Sequence, residues 1–164
     1  MNEEIRLTLL EAQEKLAKSI YNGLWELLEK EDRTPSEDED LLLGAYSSLY
    51  YWKQVGTTVN LQRGYWMISR VHLTLENKDD ALAWALKCLA LTEKNTEKME
   101  DFDLAFAQES LARAYALAGD LERAKNHYRQ AVALGEKIQD PEDKKVFVND
   151  LTGGDGFLFN PDQN

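Results

Sequence analysis

Arg63, Trp66 and Arg70 recur at intervals of three and four residues, and so do Phe106, Glu109 and Arg113. Side chains at those intervals share one face of an α-helix. Their chemistry is recognition rather than bond-making. Aromatic and arginine side chains dominate interface hot spots, so a tryptophan flanked by two guanidiniums is an anchor-like group. Three such arginines make a local basic patch in a chain of formal net charge −11, suited to a carboxylate. No catalytic set stands beside them. The histidines are His72 and His127, and no H-x-x-x-H, CxxC or glycine-rich phosphate loop occurs. Gly153-Gly154-Asp155-Gly156 has no lysine and precedes no helical pattern, so it is expected to be a flexible joint. With 30 acidic residues present, no particular carboxylate pair can be singled out for acid–base work.

Cys88 is the lone cysteine. It permits no intramolecular disulfide and no cysteine metal cluster. Among Trp84, Ala85 and Leu89 on a helical face it reads as a small buried apolar residue rather than a reactive thiol. His127, beside Asn126 and Arg129, is expected in solvent. No metal and no cofactor is expected.

The elements that must position these residues are helical. The chain has 164 residues, 43% of them hydrophobic, with three prolines and nine glycines. That supports one α-helical domain with a single core. The negative charge argues against nucleic acid and against an anionic membrane surface. No apolar run nears the roughly 20 residues of a membrane span. The opening MNEEIRL lacks the positive and apolar regions of a signal peptide, so a cytoplasmic location is expected.

A first helix is predicted over residues 3–31, with Ile5, Leu9, Ala12, Leu16, Ile20, Leu24 and Leu28 as its stripe. Thr34-Pro35-Ser36-Glu37 is a capping box with proline at the first helical position, opening a second helix over 35–54 that Gly56 stops. Its rings Tyr46, Tyr50, Tyr51 and Trp52 are expected to be core. Further helices follow over 61–76, with Asn60 as cap, and over 78–94. A fifth opens at Asp101 or Asp103, a sixth follows Gly119-Asp120, and a seventh opens at Asp140-Pro141.

The fifth and sixth helical patterns resemble the tetratricopeptide repeat, a helix-turn-helix unit of about 34 residues. Leu111, Ala112, Tyr115, Gly119, Ala124, Tyr128 and Ala131 meet its pattern. Gln108 stands where tryptophan is usual, and Glu136 where proline is. The small-residue pattern returns in Ala81, Ala85 and Cys88, and again in Leu41, Ala45 and Ser48. Ile68, Ser69 and His72 likewise match Leu111, Ala112 and Tyr115, which makes His72 a hydrogen-bonded core histidine. Ala81 and Ala124 are 43 residues apart, so the repeats are longer than the family's.

The resemblance implies an all-α fold: antiparallel helix pairs stacked as a short right-handed superhelix, with a C-terminal capping helix. It implies one domain over 1–151 and a tail over 152–164. It also implies a binding groove lined by the first helix of each repeat. In this chain the lining is Arg63, Trp66, Arg70, Leu73 and Thr74, then Phe106, Glu109, Arg113, Ala116 and Leu117. The clamp by which one subclass grips chaperone tails is missing, since Met67, Phe106 and Ser110 stand in its places.

The function implied is a non-catalytic protein–protein interaction module, an adaptor or regulator, binding a protein or peptide with an acidic or carboxylate feature. The competing arrangement has Trp66 packed beneath the first helix and the arginines paired with acids such as Glu109. A second reading is a sensor holding a small ligand or short signalling peptide in a closed apolar cavity near Tyr65, Trp66 and His72. The apolar Phe157, Leu158 and Phe159 of the tail fold back onto the domain or dock into a second copy, which would make a homodimer.

Overall fold

The computed structural model describes residues 7–153. The expectations on Ile5 and on the tail from residue 154 onward lie outside the described residues. Seven α-helices and no strand occur among the described residues: α1 (Leu9–Leu28), α2 (Pro35–Val55), α3 (Thr58–Thr74), α4 (Lys78–Lys94), α5 (Asp101–Ala118), α6 (Leu121–Gly135) and α7 (Pro141–Gly153). The chain divides into two compact units between Gly64 and Tyr65, within α3.

In the first unit, α1 and α2 pack together. Both open on capping boxes, Thr8 with Glu11 and Thr34 with Glu37. The predicted start at residue 3 is therefore too early: Leu7 and Thr8 are not helical, and Thr8 supplies the cap. Arg33 ties the pair at its turn. Its Nη1 donates to the carbonyls of Leu27 at 3.3 Å and Lys30 at 2.6 Å, and its Nε to Asp38 at 2.8 Å. The orphan carbonyls at the end of α1 gain a donor that also anchors α2.

Ala17 and Leu24 are the buried residues of α1. Ser48 donates to the Ala17 carbonyl at 2.9 Å, a contact that needs a small residue on each helix. Leu9, placed in the predicted stripe, is 74% exposed. The expected aromatic core of α2 is realised in part. Trp52 is buried, Tyr51 is half-buried, and Tyr50 is 61% exposed with its ring against that of Tyr51.

Asn60 is not the cap of α3. The helix begins at Thr58, and Thr57 forms the box. The Thr57 backbone N–H donates to Asn60 Oδ1 at 2.9 Å, and the Asn60 N–H to Thr57 Oγ1 at 3.5 Å. Asn60 plays the reciprocal part usually given to Glu or Gln. At α5 the cap is Glu100 rather than Asp101 or Asp103, and Asp103 Oδ2 accepts from its N–H.

The second unit is built around α5, which packs against α4, α6 and α7. Every residue from 107 to 116 is buried. A helix buried on all sides, Gln108, Glu109 and Arg113 included, is the central member of its layer. One cluster gathers Ala85, Leu111, Tyr115 and Ala124, and a second Ala105, Ala131, Ile138, Phe147 and Leu151. Phe147 on α7 is fully buried and lies over Gly135, where a Cβ would stand 2.2 Å from its Cε1. Only glycine leaves room for that ring.

Candidate functional site

α3 carries Trp66 and Arg70 on one face, and α5 carries Phe106, Glu109 and Arg113 on another. The structure brings the five together. The Trp66 and Phe106 rings meet edge to face at 5.5 Å. The Arg70 guanidinium lies 5.9 Å from the Trp66 ring centroid, within cation–π range. Arg70 Nη1 is 3.7 Å from Glu109 Oε1, and Arg113 Nε donates to the same oxygen.

A third helix joins them. Phe147 of α7 meets Phe106 edge to face at 5.0 Å. Asp150 Oδ1 lies 2.7 Å from Arg70 Nη2 and 3.9 Å from Arg113 Nη2, and the Asp150 carbonyl accepts from Arg113 Nη2. Two guanidiniums thus face two carboxylates. The Glu109 and Arg113 side chains are 1% and 4% exposed, whereas those of Arg70 and Asp150 are partly open to solvent. Burial pushes the Glu109 carboxyl up, against the opposing pull of Arg113 and Arg70. Glu109 Oε2 and Arg70 Nη1 are buried and make no hydrogen bond.

The other positions of the predicted lining differ. Arg63 is half-buried one turn before Trp66 and falls in the first unit. The Thr74 hydroxyl donates to the Arg70 carbonyl of its own helix at 3.0 Å. Leu73 packs on the second unit's core, and Ala116 is a buried member of it. Sequence reasoning missed Asp150, Phe147 and Gly135 as parts of this site. Phe147 and Leu151 did mark the buried side of the seventh helix; nothing in their spacing says which arginines the neighbouring Asp150 meets.

His72 is buried and within 3.3 Å of Asn77 Nδ2, as a core histidine should be. His127 is not a solvated surface residue. Its Nδ1 lies 2.7 Å from Gln108 Oε1, and its ring stacks on Tyr115 at 5.4 Å. Gln108, at the usual tryptophan position, turns what would be an apolar contact into a polar one. Desolvation lowers both imidazoles below the usual histidine value. Burial pushes the Cys88 thiol up to about 12, the opposite of a reactive cysteine. Of the residues named for a small-ligand cavity, Tyr65 turns to Trp84, Trp66 to Phe106 and His72 to Asn77. Among the described residues no group of three or more His, Cys, Asp or Glu is arranged to hold a metal, and no helix is long and apolar enough to cross a membrane.

Two family models, each described as tetratricopeptide repeat, match residues 62–95 and 107–138. No curated protein and no solved structure matches the chain. The two matched windows fall on α3 with α4 and on α5 with α6. In each, a small residue stands at the same place, Ser69 and Ala112, and both are buried. With the repeat pattern matched over two of its helix pairs, the chain is a tetratricopeptide repeat-like helical protein.

Proposed function

We propose that this chain is a non-catalytic adaptor or regulator that binds a protein or peptide on the face shared by α3 and α5. Tetratricopeptide repeats are protein–protein interaction modules, which supplies the class. The observation that carries the reading is the cluster of Trp66, Arg70, Phe106, Glu109 and Arg113: two rings in edge contact beside two guanidiniums. Arg63 continues this stripe one turn earlier on α3, and Thr74 ends it. An acidic or carboxylate-bearing segment is the ligand such a face selects.

The half-buried Arg63 and Arg70 are the residues to test, because removing the buried Arg113 or Trp66 would damage the fold as well. Capture from a lysate by the intact protein is compared with capture by an Arg63→Ala, Arg70→Ala variant whose helicity matches by circular dichroism. The expected result is a partner whose recovery falls by about ten-fold or more in the variant. Equal recovery of every captured protein would rule the face out.

A further inference from the structure

α7 is anchored to the α5 and α6 pair by few side chains. Phe147 and Leu151 are its buried apolar residues, while Val146 is 60% exposed and Val148 is also exposed. A helix of 13 residues has little stability of its own. Segments held by so few contacts open locally at lower free energy than the core around them. Asp150 of α7 places a carboxylate on Arg70 and Arg113, beside that of Glu109. An aromatic notch stands beside the charges, made by Phe106 and by the missing side chain of Gly135. Even with α7 in place, Glu109 Oε2 and Arg70 Nη1 keep no hydrogen-bond partner.

We infer that α7 occupies its own chain's recognition site as a displaceable ligand, and that the partner displacing it is an amphipathic helix bearing an aromatic side chain and, three residues later, a carboxylate. The spacing is that of Phe147 and Asp150. The ring enters the Gly135 notch against Phe106, and the carboxylate takes the place of Asp150 at Arg70 and Arg113. This deepens the proposed function and rests on it. A site filled in cis binds an outside ligand more weakly by the fraction of time it is free.

The probe is a fluorescein-labelled peptide of residues 141–153, PEDKKVFVNDLTG, titrated into the full chain and followed by anisotropy. A Phe147→Ala, Asp150→Ala protein should bind it about ten-fold or more tightly than the intact chain does. A peptide with alanine for its Phe and asparagine for its Asp should not bind. Hydrogen exchange on the intact protein tests the idea without any variant. Excess peptide should speed exchange at α7 amides several-fold and leave α4 to α6 unchanged. If α7 exchange does not move, or the altered peptide binds equally well, the inference fails. Should the protein variant not fold, the exchange result decides alone. Arginine-dependent capture from lysate with unmoved α7 exchange would keep the proposed function and remove this inference.

Discussion

The turns inside the two matched repeats share one geometry and differ in the residue that makes it. In the α5–α6 turn, Gly119 takes φ +86°, its N–H donates to Ala116 and the Asp120 N–H to Tyr115 at 2.9 Å. In the α3–α4 turn, Glu76 takes φ +57°, its N–H donates to Leu73 and the Asn77 N–H to His72 at 2.8 Å. Glycine adopts that conformation without strain, and a residue with a Cβ does not. The left-handed turn is therefore imposed by the packing of each helix pair, and glycine is one way to ease it. A second contrast lies at the end of the pair. Thr92 closes α4 against its own helix, donating to the Cys88 carbonyl at 2.8 Å, whereas Gly135, 43 residues on, leaves space that Phe147 fills. The first repeat is followed by α5, which packs on α4 beside a threonine, and the second by α7, whose Phe147 needs the glycine.

Exchanging these residues between the repeats tests the contrast. Gly135→Thr puts the first repeat's residue where Phe147 must lie. The ring has to leave, and urea unfolding should show a loss of about 3 kcal/mol or more, as for deleting a buried phenylalanine. A loss below that of Thr92→Gly would mean that the two ends are equivalent after all. Gly119→Glu brings the strained turn into the second repeat and should cost about 1–2 kcal/mol. The reverse change, Glu76→Gly, should raise the unfolding free energy by about 0.5–1 kcal/mol, since it relieves the left-handed residue at an exposed turn. A destabilised Glu76→Gly would show that the side chain itself holds the turn.

The smallest effect concerns the histidines. Desolvation holds His72 and His127 below the usual value, against the upward pull of Asp80 and Glu93. The unfolded chain then binds protons first as the pH drops. Each imidazole stabilises the fold above its unfolded pKa of about 6.5, and that contribution is lost as the pH falls below it. The buried Glu109 carboxyl, pushed up instead, acts in the opposite direction. His72→Gln and His127→Gln should each flatten the dependence of the urea midpoint between pH 7 and pH 5. A slope as steep as that of the parent protein would assign it to other groups.

The helices were legible because the apolar spacing and the caps carry local information. Thr34-Pro35-Ser36-Glu37 opens α2 where its types require, and the small residues Ala81, Ala85 and Cys88 are buried along α4 as the repeat pattern implies. Caps with a less usual partner were not: Asn60 acts as the reciprocal half of a box that Thr57 begins, and Glu100 does the capping beside two aspartates. For the candidate site, spacing placed Arg70 with Trp66 and Arg113 with Glu109, each pair within one helix. It had no means of bringing α7 over them. Asp150 meets Arg70 across 80 residues of chain, and such contacts are set by tertiary packing. His127 was misplaced for the same reason, because its partners Gln108 and Tyr115 lie on the preceding helix.

Ser69 and Ser110 are buried with their hydroxyl oxygens 3.0 Å apart, and Ser69 also reaches the Ala81 carbonyl at 2.9 Å. Small apolar faces slide past one another with little penalty, and a helix shifted by one turn, about 5.4 Å, presents another small residue much like the last. Hydroxyls do not tolerate such a slip. Moving α3 along α5 by a turn would part the two hydroxyls and leave that of Ser110 in an apolar layer without this partner, at about 1–3 kcal/mol. The pair thus acts as a pin that fixes the sliding position of one repeat on the next. In a layer rich in alanine and leucine, this buried polar pair adds positional accuracy that the apolar contacts lack. The alignment of Arg70 with Glu109, which stand on the same two helices, depends on it in turn.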